Sequence, residues 1–202
     1  MEYLRNKEEL KIQGVAYPIN TDFREWISFE KKIATESEEE SVKSMLEFAV
    51  NANLPICRET FDEILSFFMC GKKIDESSSK NSGNQTTSSK AETAVDFIVD
   101  EPLIFSAFKA QYGIDLRKDY LHWWDFIALF NGLTEEHLIC KIMGYRTIDL
   151  DKVDKSIRPE YKKLKDKYSL DAKHYATAEE RNEALKNRIK KIQKEVERIA
   201  TK

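Results

Sequence analysis

The 202-residue sequence lacks any long apolar segment and is poor in cysteine. No apolar run approaches the roughly 18 residues that a membrane-spanning helix needs, and the opening MEYLRNKEELKIQ is charged, without a signal-peptide core. We therefore expect a cytoplasmic protein with no membrane segment. The three cysteines, Cys57, Cys70 and Cys140, are odd in number and show no Cys-x-x-Cys spacing, so we expect small buried hydrophobic residues.

Recognisable catalytic and cofactor motifs are also missing. The six glycines occur singly, so there is no phosphate-binding loop, and there is no Gly-x-Ser-x-Gly motif. The three histidines lie in separate segments without metal-ligand spacing. His122 and Asp125 can share a hydrogen bond on one helix face, but no nucleophile accompanies them, and a structural pair is the preferred interpretation. The sequence thus predicts no enzyme activity, no catalytic residue, no metal and no cofactor.

Charge is distributed unevenly along the chain. The formal net charge is −3, but residues 152–202 contain 16 Lys+Arg against 9 Asp+Glu, which leaves −10 on the first 151 residues. Such a basic segment is typical of an arm for an acidic partner or of a solvated Lys-rich helix, and the solvated helix is preferred. Because the chain is acidic overall and shows no basic recognition helix, nucleic-acid binding is not expected.

The densest apolar region is the stretch from Asp96 to Arg146, which contains two of the three tryptophans. Eight of the ten residues 121–130 are apolar, which predicts a buried helix with both Trp123 and Trp124 in the core. Capping residues and glycines predict three helices in this stretch. Their expected starts and ends are Asp100 and Gly113, Asp119 or Tyr120 and Gly132, and Thr134 and Gly144.

The N-terminal part predicts a β-hairpin followed by helices. Residues 9–19 alternate around a turn at Gly14, and Pro18 confines the second strand to an edge. Asp22 and Glu25 form a capping-box pattern before a helix in which Arg24 is a surface residue and Trp26 a core residue. Two more helices are predicted, the second ended by Gly71, with apolar faces formed by Val42, Met45, Leu46 and Ala49, and by Phe61, Ile64, Leu65 and Phe68.

Two segments outside these helices differ in character. Residues 75–90 contain no apolar side chain, which predicts a flexible Ser-rich loop over 75–92. Pro159 opens a short charged helix, and Thr177 with Glu180 caps a last amphipathic helix. Its heptad-like seam either docks on the same protein or binds a second copy or a partner. The seam consists of Leu185, Ile189, Ile192, Val196 and Ile199.

The expected fold is mainly α. We predict a compact helical domain over residues 1–150, with a small N-terminal β-hairpin and the Ser-rich loop, followed by a charged helical extension over residues 151–202 that carries the amphipathic C-terminal helix.

Four segments of the chain resemble one known family. LKIQGVAYPINTDFREWISFE (10–30), IFSAFKAQYGIDL (104–116), LHWWDFIALFNGL (121–133) and GYR (144–146) are similar to the family labelled bacteriophage gene product fifteen, from long-tailed phages and prophages of low-GC bacteria. The resemblance covers roughly residues 10–146. It implies a tail morphogenesis protein of the host cytoplasm, similar to tail assembly chaperones, whose partners are the tape-measure protein and possibly the tail-tube protein.

Two alternatives stay open beside the chaperone. The first is a structural or completion protein of the phage tail, and the second is a regulatory adaptor that uses the basic C-terminal helix on nucleic acid. A chaperone for a long helical partner needs an apolar groove, which we expect to be walled by helices of residues 96–146 or by the seam of residues 185–199.

Overall fold

The computed structural model describes residues 7–35, 38–71 and 94–170, without the side chains of 33–35, 38, 39, 41 and 42. Within these ranges the chain forms one two-stranded antiparallel hairpin and seven α-helices, which confirms a mainly α protein with an N-terminal hairpin. The predicted Ser-rich loop and C-terminal seam lie outside the described residues. The elements are β1 (Glu9–Ile12), β2 (Val15–Pro18), α1 (Phe23–Thr35), α2 (Glu38–Asn51), α3 (Arg58–Phe68), α4 (Glu101–Tyr112), α5 (Trp123–Asn131), α6 (Leu138–Thr147) and α7 (Arg158–Tyr168).

Two compact units divide the described residues. The first contains residues 7–71 together with Leu121–Phe126, and the second contains residues 94–120 and 127–170. The continuous helix α5 therefore contributes its first residues to one unit and the remainder to the other. The domain division at residue 150 stays a prediction. None of the described helices is long and apolar enough to cross a membrane.

The hairpin follows directly from its turn sequence. Gln13 and Gly14 both have positive φ, 51° and 79°, which is the backbone that a two-residue hairpin turn requires. Leu10 and Ile12 on β1 are completely buried, whereas β2 is largely exposed. The backbone N–H of Gln13 donates to Glu59 on α3 at 2.9 Å, so the turn is attached to that helix. The predicted hairpin around Gly14 is confirmed.

Stacked aromatic rings fill the core of the first unit. Trp26 lies 4.6 Å from Phe67, and Trp123 stacks on Phe68 at 5.5 Å between ring centroids. The predicted apolar face of α3 is confirmed, since Phe61, Ile64, Leu65 and Phe68 are all buried. Phe67, which the helical spacing did not select, is buried as well. Helix α3 therefore packs on two faces.

The two consecutive tryptophans donate hydrogen bonds to the C-terminal end of α3. Trp123 Nε1 donates to the carbonyl of Phe68 at 2.9 Å, and Trp124 Nε1 donates to that of Phe67 at 2.8 Å. The last carbonyls of a helix have no partner inside the helix, and the Trp123 indole supplies one for Phe68. The carbonyl of Phe67 also accepts the backbone N–H of Cys70 at 2.9 Å, so the Trp124 indole is its second donor. Trp123 is 2% exposed, whereas Trp124 is only half-buried. The prediction that both belong to the core holds fully for Trp123 alone.

In the second unit, a buried ion pair joins the start of α4 to the end of α6. Asp100 and Arg146 are 2% and 5% exposed, and their bidentate contacts measure 2.6 and 2.9 Å. Arg146 also donates to the carbonyls of Ala94 and Tyr168. Asp100 was predicted to cap α4 with its side chain. It stands at the N-cap position, but its carboxylate binds Arg146 and the N–H of Asp96 instead.

The predicted ends of α6 are wrong at both sides. The backbone N–H of Thr134 donates to the Gln111 side chain, and the helix begins only at Leu138. It also continues through Gly144 to Thr147, because the last turn presents Arg146 to the buried carboxylate of Asp100. By contrast, Gly113 ends α4 as predicted, with φ of 73°.

A candidate partner-binding groove

The predicted His122–Asp125 pair is not the arrangement that His122 adopts. The Nδ1 atom of His122 accepts the backbone N–H of Trp124 at 3.0 Å, which leaves Nε2 to donate to the carbonyl of Lys7 at 3.0 Å. Both ring nitrogens are therefore committed to backbone atoms. The contact to Trp124 also corrects the predicted start of α5 at Asp119 or Tyr120, because His122 caps a helix that begins at Trp123.

The other chemically reactive side chains are dispersed. Among the residues that the structure describes, no three His, Cys, Asp or Glu side chains come together to hold a metal ion. Cys57, Cys70 and Cys140 form no disulfide bond and are half-buried, not fully buried as predicted. Burial, followed by the nearby negative charge of Glu135, raises the pKa of the Cys140 thiol. That shift favours the protonated thiol, which is the less nucleophilic form.

The first unit contains a groove of about 510 Å³ between α1, α2 and the end of β2, called here the α1–α2 groove. Its volume lies within the range of about 300–1,000 Å³ that is usual for protein ligand sites. The lining residues are Tyr17, Pro18, Asn20, Glu25, Ser28, Phe29, Lys32, Ser44, Glu47, Phe48, Asn51, Ala52 and Asn53.

Each long wall of the groove is one helical stripe. Helix α1 contributes residues 25, 28, 29 and 32, and α2 contributes residues 44, 47, 48 and 51. Both sets follow the spacing i, i+3, i+4, i+7, which places them along one face of a helix. The two walls therefore bound a trough that runs along the helices.

Aromatic side chains form the apolar part of the groove. Phe29 from α1 and Phe48 from α2 lie 5.1 Å apart between ring centroids, and Trp26 contacts both at 5.5 and 5.3 Å. Trp26 is fixed in turn by a 2.9 Å hydrogen bond from its Nε1 to the carbonyl of Asn20. Phe29 is 4% exposed, whereas Phe48 is half-buried. The floor of the groove is therefore a packed cluster of rings from which Phe48 is partly accessible.

Glu25 lines the groove and does not cap the start of α1. Asp22 Oδ1 accepts the N–H of Arg24 at 2.9 Å, and the N–H of Asp22 itself donates to Asn20 at 3.0 Å. The predicted reciprocal capping box, in which Glu25 would bind the N–H of Asp22, is therefore wrong, because Asn20 already occupies that donor. Arg24 is a surface residue as predicted, and it forms a 2.7 Å ion pair with Asp22.

Charges of both signs line the groove. Glu25 and Lys32 come from the α1 wall, and Glu47 from the α2 wall. Glu47 also approaches Lys43 at 3.9 Å in a highly exposed pair, so that contact is weak.

Sequence patterns did not predict this groove. We expected the groove walls in residues 96–146 or in the seam of residues 185–199, whereas the described groove lies within residues 17–53. A usable signal was present in the paired stripes of α1 and α2, in which a phenylalanine is flanked by serine, glutamate, lysine or asparagine. Their meaning depends on the two helices packing side by side, which periodicity alone does not establish.

One comparison with known proteins identifies a family. The sequence profile described as Bacteriophage Gp15 protein matches residues 6–170. No curated protein and no solved structure matches the chain. The profile spans every described element, both walls of the α1–α2 groove and the buried Asp100–Arg146 pair. Because this match covers most of the 202 residues, the chain belongs to the family described as Bacteriophage Gp15 protein.

Proposed function

We propose that the protein acts in phage tail morphogenesis as an assembly chaperone. In this role it binds the tape-measure protein in the host cytoplasm before tail-tube subunits polymerise around it. The observation that carries the proposal is membership of a bacteriophage family over residues 6–170. The tail-region resemblance of segments 10–30, 104–116 and 121–133 narrows the role from a phage protein to tail assembly.

The α1–α2 groove supports a binding role in place of catalysis. A chaperone of a long helical protein needs a surface that accepts apolar side chains and releases them later. The groove offers the half-buried rings of Phe48 and Tyr17 as apolar contacts, surrounded by polar and charged side chains that keep the empty surface hydrated. Neither ring nitrogen of His122 is left for proton transfer.

A tail structural or completion protein is the competing role, and its location distinguishes it from a chaperone. A chaperone is present in infected or induced cells during assembly and is missing from purified mature particles. We expect mass spectrometry to detect the chain in lysate but not in particles, at a sensitivity that detects the tape-measure protein in both. Detection in particles at a fixed ratio to a tail protein would contradict the chaperone and favour the structural role.

A further inference from the structure

We propose that the α1–α2 groove binds one basic amphipathic α-helix of its partner. The inference deepens the proposed function, and it depends on that function only for the identity of the protein that supplies the helix. The bound segment is helical, carries positive charge and presents one apolar face to the groove.

The shape of the groove selects a helix as the occupant. The wall residues extend over eight positions of α1 and eight of α2, and the seven rises of about 1.5 Å between them give a trough of about 10 Å, or two helical turns. A third helix can lie along two packed helices by placing its side-chain ridges in the groove between them. Ser28 and Ser44 are small, so they allow its backbone to approach both walls.

An extended peptide fits this surface poorly. Ile12 pairs with Val15, and the N–H of Ile19 donates to Glu8, so the outward backbone groups of β2 belong to Ala16 and Pro18. Proline has no N–H, and the outer edge of β2 therefore presents one donor in four residues. A partner strand would find too few hydrogen bonds there to be added to the sheet.

Charge selects a basic helix. Glu25 on one wall and Glu47 on the other line the groove with one lysine, Lys32, and the exposed 3.9 Å contact of Glu47 with Lys43 is too weak to neutralise it. Residues 7–71 contain 7 Lys+Arg against 13 Asp+Glu, so this stretch of the sequence has a net charge of −6, which favours a basic partner. Lysine or arginine beside the apolar face of the bound helix complements these carboxylates, whereas glutamate there is repelled.

The first test uses two synthetic peptides with the full-length protein. Each is an Ala-based helix of about 18 residues, or ~27 Å, with leucine at i, i+3, i+4 and i+7. One carries lysine beside the leucine face and the other carries glutamate. At low salt we expect fluorescence anisotropy to show about tenfold tighter binding of the lysine peptide, or ~1.4 kcal/mol. Equal binding of the two peptides would overturn the charge assignment.

Groove-filling variants locate the binding. Ser28→Trp and Ser44→Trp place an indole in the trough from opposite walls, and each is expected to weaken binding of the lysine peptide at least about tenfold. The matched control is Val50→Trp on α2, because Val50 is 60% exposed and does not line the groove. Circular dichroism verifies that all three variants are folded. If both serine variants bind like the control, the helix does not occupy this groove and the inference is wrong.

Two further outcomes separate the inference from the proposed function. If Ser28→Trp and Ser44→Trp still copurify with the tape-measure protein as the wild type does, the groove is wrong and the chaperone proposal stands. If the peptides behave as expected but the tape-measure protein never copurifies, the groove stands and the chaperone proposal fails. Ile192→Asp places a charge in the apolar seam of the chain's own C-terminal segment. If the lysine peptide binds this variant but not the wild type, that segment is the occupant of the groove and a partner helix is ruled out.

Discussion

At the scale of single residues, Arg146 connects four segments of the second unit through one guanidinium group. It contacts both carboxylate oxygens of Asp100 and the carbonyls of Ala94 and Tyr168. Removing water from two charges costs free energy, and the pair is favourable only because its geometry is bidentate and the spare N–H groups also find acceptors. The pair therefore fixes which segments meet, more than it adds net stability.

Removal of the Arg146 charge is expected to destabilise the protein strongly. Arg146→Met leaves the carboxylate of Asp100 buried without its cation, which costs about 3–5 kcal/mol. The control is Arg58→Met, which removes a pair with both side chains more than half exposed and is expected to cost less than about 1 kcal/mol. Urea denaturation measures both values. Similar losses in the two variants would show that the Asp100–Arg146 pair is not buried in solution.

Substitution of the two tryptophans is expected to cost different amounts of stability, because Trp123 is more deeply buried than Trp124. Trp123→Ala removes a ring that is 2% exposed and stacked on Phe68, so we expect a loss of about 3–5 kcal/mol. Trp124→Phe keeps most of the half-buried ring and removes the hydrogen bond to the Phe67 carbonyl, which costs about 1 kcal/mol. Tyr120→Ala, at an exposed position, serves as the control. Thermal unfolding that is unchanged in both tryptophan variants would contradict the proposed capping of α3.

At the scale of elements, two glycines that were both predicted to end a helix differ in backbone conformation. Gly113 has φ of 73° and ends α4, whereas Gly144 lies inside α6. A side chain added at either position would meet no atom within 4 Å. The two positions therefore differ in backbone conformation and not in space, which makes them a matched pair for substitution.

The same substitution is expected to act with opposite sign at these two glycines. Gly113→Ala forces a Cβ into the left-handed region and costs about 1–2 kcal/mol. Gly144→Ala replaces glycine in a helix interior and stabilises by about 0.5–1 kcal/mol. Comparison of the two melting temperatures checks both signs. Destabilisation by Gly144→Ala would place the end of α6 at Gly144, as the sequence alone suggested.

Local patterns predicted the elements that depend on local interactions. The hairpin turn at Gly14, the apolar face of α3 and the end of α4 follow from neighbouring residues, and the structure has all three. The predicted capping box failed because of a near neighbour, Asn20, but both ends of α6 failed because they depend on distant partners. Thr134 is engaged by Gln111, and the end of α6 is held by Asp100, and neither partner can be identified from spacing within one helix. The α1–α2 groove was missed for the same reason.

At the scale of the whole molecule, the proposed function rests on apolar contacts more than on charge. Ion pairs at an exposed groove contribute only about 0–1 kcal/mol each, so Glu25 and Glu47 set the preference for a basic helix but supply little affinity. Burial of partner side chains against the half-buried Phe48 and Tyr17 supplies the larger part, since apolar burial contributes about 25 cal/mol per Å². A complex of this kind weakens only modestly when salt is added.

The most direct test is co-expression of the full-length chain with the tape-measure protein of the same phage. We expect the tape-measure protein to be soluble only in the presence of the chain. The two should copurify at about 1 M salt, where the Debye length is about 3 Å and surface charge is screened. A tape-measure protein that stays insoluble with the chain present, or a complex that separates completely at that salt concentration, would contradict the account.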